Sequence, residues 1–134
     1  MATISEIEGV GDVYAAKLKT AGIDTIEELL AKGGASSQRD AIEKETGISG
    51  KLILKWVNHA DLIRINGIGP QMAELLEGAG VDSVPELAQR NAANLAAKLD
   101  EVNAVKNLVN RVPNEPAIEG WIAEAKTLPK AVTH

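Results

Sequence analysis

Two short glycine runs are where residue type and spacing in this sequence could do chemistry: Gly9-Val10-Gly11 and Gly67-Ile68-Gly69. Glycine lets a backbone take positive φ or come close to another backbone. Each run stands directly before a helical stretch, so it leaves peptide N–H groups unpaired where the helix dipole is positive. Such a spot favours an anion, and phosphate is a natural one. The N–H groups in question are those of residues 9–11 at the first elbow and 67–69 at the second. Gln71 joins the second elbow, and Lys17 lies in the helix after the first.

Other chemistries find little footing. The chain has no cysteine, which removes disulfides, thiol nucleophiles and cysteine metal sites. It contains no Gly-x-Ser-x-Gly, no phosphate-binding Gly-x4-Gly-Lys and no zinc motif. His59 stands alone on a helical stretch and His134 is terminal, so no metal site is expected. Acid pairs such as Glu27 and Glu28 read as capping and solvation. The segment ETGISGKLILKW looks superficially like a helix-turn-helix, but its second half is too apolar to read base edges and reads as core. No catalytic residue, metal or cofactor is expected.

The elements that position the two elbows are written twice. At an offset of 58, Ile7 falls on Ile65, Leu18 on Leu76, Gly22 on Gly80, Asp24 on Asp82 and Leu29 on Leu87. A fixed offset with so many like residues is an internal repeat. The register slips later: Trp56 follows Gly11 by 45 residues, whereas Trp121 follows Gly69 by 52.

Each copy reads as helices. In the first, Thr3-x-x-Glu6 is a capping box opening a short helix that stops at Gly9, and Asp12 is the N-cap of the next, which stops at Gly22. Thr25-x-x-Glu28 opens a helix from Ile26 to about Lys32. Ser37-x-x-Asp40 starts another, closed by Gly47. Ser49 caps a last one with Leu52, Trp56, Ala60 and Ile63 on one face. In the second copy Pro70 suits a first helical position and Gly80 closes that helix. Ser83-x-x-Glu86 repeats the capping box. Asn91 starts a helix to about Asp100, and a further helix runs from Asn103 to Arg111. Pro113 and Pro116 break the chain before a final helix with Ile118, Trp121, Ile122 and Ala125. Trp56 and Trp121 read as core residues. No stretch alternates as a strand does. The fold class is all-α, with units at 1–62 and 63–128 packed as one compact helical protein and a tail at 129–134.

At these residues a resemblance enters. IEGVGDVYAAKL and INGIGPQMAELL resemble the helix-hairpin-helix motif, and AGIDTIEEL and AGVDSVPEL resemble the helix that follows it in the amino-terminal domain of archaeal recombinases. Nearly the whole chain is similar to a bacterial family of tandem helix-hairpin-helix proteins known only as a domain of unknown function. In the wider family the hairpin amides contact DNA phosphates without reading sequence, and the resemblance implies Gly9, Val10 and Gly11, then Gly67, Ile68 and Gly69, as the candidate contacts here. Its DNA binders carry a Lys or Arg two residues after the second glycine, where this chain has Val13 and Gln71. Before the first glycine it has Glu8 and Asn66 where proline is common.

The charge is −5, from 14 basic and 19 acidic side chains. It is spread evenly, without the basic patch of most nucleic-acid binders. The expected function is a non-enzymatic binding module. One reading is weak, salt-sensitive, sequence-independent DNA binding, chiefly at the second elbow, which reads as neutral. Lys17, Lys19, Arg64 and Lys55 are the cations nearest the elbows. The other reading is a protein–protein adaptor. No membrane contact is expected: no apolar run is long enough to span, and MATISEIEG does not read as a signal peptide. A cytoplasmic location follows.

Overall fold

The computed structural model describes residues Thr3–Thr133, and they are helical. After a 3-10 turn at Ile4–Glu6 come α1 (Asp12–Thr20), α2 (Ile26–Gly33), α3 (Ser36–Thr46) and α4 (Gly50–Ile63). Then follow α5 (Pro70–Gly78), α6 (Val84–Ala88), α7 (Ala92–Lys106) and α8 (Glu115–Ala125). The all-α expectation holds. A lone antiparallel bridge between Thr3 and Thr25 is the nearest approach to strand pairing among these residues.

Local chemistry explains the boundaries. Thr25 accepts from the Glu28 N–H at 3.1 Å, and Glu28 accepts from the Thr25 N–H at 3.1 Å, closing a capping box at the start of α2. Gly22, Gly47 and Gly80 all take positive φ, at 81°, 73° and 92°, past the ends of α1, α3 and α5. Pro70 is the first residue of α5 and Asn91 caps α7 by accepting from the Asn94 N–H at 3.0 Å.

Five local features differ from expectation. The N-cap of α1 is Gly11, and Asp12 is the first helical residue, where its charge still complements the dipole. The α3 helix begins at Ser36, because Gln38 accepts the Ala35 N–H at 3.0 Å and fixes the N-cap at Ala35, two residues before Ser37. At α6, Ser83 accepts from the Glu86 N–H, but the Glu86 carboxylate pairs with Arg90 at 2.9 Å. Most clearly, α7 runs unbroken to Lys106, and residues 107–111 are not helical. Asn103 suggests a helix start in sequence. In place, its Oδ1 accepts from the Leu108 and Val109 N–H groups at 2.8 and 3.0 Å, and its Nδ2 donates to the Val109 carbonyl at 3.0 Å. It thus pins the chain that leaves the helix after Asn107, which takes the left-handed conformation at φ 50°. Pro116 does not break the chain but sits in the first turn of α8, after the N-cap Asn114.

The chain divides into two compact units. One holds the residues up to Asp61 together with the segment from Ala131 onward, and the other spans Leu62–Lys130. The first unit buries Ile7, Leu18, Ile23, Leu29, Ile53 and Trp56 almost completely. The core of the second gathers Leu76, Val81, Leu87, Leu95, Leu99 and Ile118. Each such side chain contributes about 1.5–3 kcal/mol on leaving water.

Candidate functional site: the two glycine elbows

The two elbows share one backbone. Gly9 and Gly67 take φ of 88° and 94°. Gly11 and Gly69 are extended N-caps, at φ −83° and −101°. The Ala15 N–H donates to the Gly11 carbonyl and the Ala73 N–H to the Gly69 carbonyl, both at 2.9 Å. The middle residue of each elbow faces inward: Val10 and Ile68 are both 4% exposed. Their N–H groups are already paired, donating to the Ile7 and Ile65 carbonyls at 3.1 Å. The accessible part of each elbow is therefore its glycines: Gly9, Gly11 and Gly67 are exposed and Gly69 is half-buried. An open pocket of about 430 Å³ lies over residues 5–11.

Tryptophan forms the floor of each elbow. The Trp56 Nε1 stands 3.5 Å from where a Cβ on Gly9 would be, and the Trp121 Nε1 stands 3.1 Å from the same point at Gly67. Both indoles are buried, as the sequence suggests, but the specific partner is the positive-φ glycine. Trp56 carries Tyr14 against it, with ring centroids 5.1 Å apart and planes at 60°. Among the described residues the Trp56 N–H has no hydrogen-bond partner.

A second shared device lies one helix further on. The Lys32 ammonium donates to the Gly22 carbonyl at 2.7 Å, and the Arg90 guanidinium donates to the Gly80 carbonyl at 2.8 Å. Both pairs are ten residues apart and stand at the 58-residue offset. That offset, applied to cations as well as to glycines, would have found them. They tie the end of one helix to the next at the surface.

The electrostatics depart from expectation at the second elbow. The Asn66 N–H, just before Gly67, donates to the Glu124 carboxylate, 3.3 Å from one oxygen and 3.4 Å from the other. The second elbow is therefore not neutral: α8 brings a negative charge to it that sequence distance concealed. At the first elbow Glu8 is half-buried and Asp12 exposed. Among the cations singled out in sequence, Lys17 and Lys19 are exposed on α1, whereas Arg64 donates to the Pro129 carbonyl at 2.9 Å. Gln71 is exposed, and Val13, the second residue of α1, is 69% exposed.

Among the described residues no group of His, Asp and Glu is arranged to hold a metal ion, and no helix is long and apolar enough to cross a membrane. His59 is fully buried in α4, and His134 lies outside the described residues. No curated protein and no solved structure matches the chain. A family model does match, over residues 8–128, so both elbows, both tryptophans and the Glu124 carboxylate fall inside it. The chain belongs to the family described as Domain of unknown function (DUF4332).

Proposed function

We propose that the elbows are helix-hairpin-helix motifs serving a non-catalytic module that engages a protein partner bearing basic side chains. The observation that carries this reading is the carboxylate of Glu124 on the Asn66 amide. It fills with protein charge the place where a phosphate would be drawn. Glu8 and Asp12 flank the other elbow with the same sign. Lys32, Arg64 and Arg90 donate to carbonyls of their own units, which lowers the number of phosphates the protein could neutralise. Non-specific DNA affinity comes chiefly from such neutralisation. A net charge of −5 steers a basic protein surface inward and a polyanion away.

Capture from a nuclease-treated lysate, paired with a titration of duplex DNA at low salt, tests the proposal. One stoichiometric protein partner whose retention falls when Glu8, Asp12 and Glu124 are neutralised supports it. Salt-sensitive DNA retention that weakens when Lys17 is replaced would overturn it in favour of DNA. That second reading draws on the exposure of Gly9, Gly11 and Gly67. It predicts that Glu124→Gln, by freeing the Asn66 amide, tightens DNA binding.

A further inference from the structure

The connection between α2 and α3 is built to receive another backbone. Gly33 and Gly34 are both buried. Neither needs glycine for its dihedral angles, since neither takes positive φ. Both need it for space. A Cβ at Gly33 would stand 2.8 Å from the Val57 Cγ2, and a Cβ at Gly34 would run into the carbonyl oxygen of Ala131. The segment that makes this approach is non-helical: the Thr133 N–H donates to the Gly34 carbonyl at 2.8 Å, and Val132, between Ala131 and Thr133, is 3% exposed.

Arg39 completes the seat. Only 6% exposed, it donates through Nη1 to the Gly33 and Gly34 carbonyls, at 2.9 and 2.8 Å, and through Nη2 to the Thr133 carbonyl. Burial pushes its pKa below the ordinary arginine value, with Asp40 acting in the opposite direction. A cation this deep is retained only where acceptors are arrayed around it. Here two acceptors belong to the glycine connection and the third to the incoming segment. The contacts that hold the segment are to its main chain and to one small apolar side chain.

We infer that the Gly33–Gly34 connection and Arg39 form a peptide site for a non-helical segment with one buried β-branched residue. In this chain Ala131–Thr133 fills the site, and the same segment supplied in trans takes it when the native one is displaced. The recognition is main-chain pairing plus a single side-chain pocket, the logic of strand addition to an exposed backbone. It uses residues distinct from those of the elbows and does not depend on what the elbows bind.

The full chain carrying Val132→Asp, which makes burial of the native segment unfavourable, is titrated with a synthetic peptide of residues 128–133 by calorimetry. The peptide is expected to bind this variant at least about tenfold more tightly than it binds the unaltered chain, whose seat is filled. Adding Gly34→Ala should abolish that binding, because the new Cβ occupies the place of the Ala131 carbonyl. Equal binding with and without Gly34→Ala, or no binding to the Val132→Asp chain, overturns the inference. Amide exchange in the unaltered chain gives a readout that does not depend on that variant folding. The Thr133 N–H should exchange at least about tenfold more slowly than in the free peptide, and Arg39→Gln should remove the protection while helicity is kept. Exchange of Thr133 at the free-peptide rate in the folded, unaltered chain also overturns it.

Discussion

The two units follow one course from the elbow to the next capped helix and diverge after it. Over that first stretch they agree closely. Gly9 and Gly67 differ by a few degrees in φ, as the values of 88° and 94° show, and Val10 and Ile68 donate to matching carbonyls at 3.1 Å. The Ile23 N–H reaches the Leu18 carbonyl at 3.0 Å, and the Val81 N–H reaches Leu76 at 2.9 Å, the same helix end made twice. Beyond it the first unit turns through Gly33–Gly34 and places Arg39 there. The second unit has Asn91 and Ala92 at the corresponding positions and extends α7 to Lys106. The added residues of the second copy are accommodated by that longer helix and by the turn that Asn103 secures. Where positive φ dictates the chain, the copies stay alike; where side chains hold it, each has its own solution.

The largest test of this likeness removes the elbow floors. Trp56→Ala should cost about 3–5 kcal/mol in urea unfolding, and Trp121→Ala, at 9% exposure rather than none, the lower end of that range. Equal and small losses would mean the indoles do not support the elbows.

The glycines then separate two roles. Gly9→Ala should cost about 1–2 kcal/mol for the left-handed backbone, and Gly67→Ala more, because the Trp121 Nε1 leaves 3.1 Å where the Trp56 Nε1 leaves 3.5 Å. Gly11→Ala and Gly69→Ala meet no atom within 4 Å and have negative φ, so each should change stability by less than about 0.5 kcal/mol. A large loss at Gly69 would reverse the assignment.

Glu124→Gln probes the asymmetry of charge. The bond to the Asn66 N–H is long and exposed, so about 0.5 kcal/mol should be lost, with faster exchange of the Asn66 amide and no change at Glu8. The smallest effect is expected for Lys32→Met and Arg90→Met. Lys32→Met removes one exposed bond to a glycine carbonyl and should cost no more than a few tenths of a kcal/mol, and Arg90→Met, which also removes the Glu86 pair at 2.9 Å, slightly more.

Much of the frame was legible in the sequence because its signals are local. Gly22, Gly47 and Gly80 end helices in the way their lack of a side chain permits, and Thr25 and Glu28 cap each other across three residues. What the sequence hid acts over distance. Glu124 reaches Asn66 across 58 residues, and Arg39 reaches Thr133 across 94. Nothing in the polar run SSQRD marks its arginine as buried. Asn103 misled for a related reason: the same side-chain amide that caps a helix start can instead secure the chain leaving a helix end. The chain turns where the paired glycines stand, but the second elbow is not neutral as it reads, because the deciding carboxylate arrives on a different helix.

The arrangement of aromatic residues has an optical consequence. The chain has one tyrosine and two tryptophans, and the tyrosine lies 5.1 Å from Trp56. At that separation the phenol passes its excitation to the indole, so its own emission stays dark while the first unit is closed. The brightening of that emission would report the opening of the first unit, and in a separate Trp56→Phe chain the remaining indole light would come from the second, so two unlabelled samples would follow the two units.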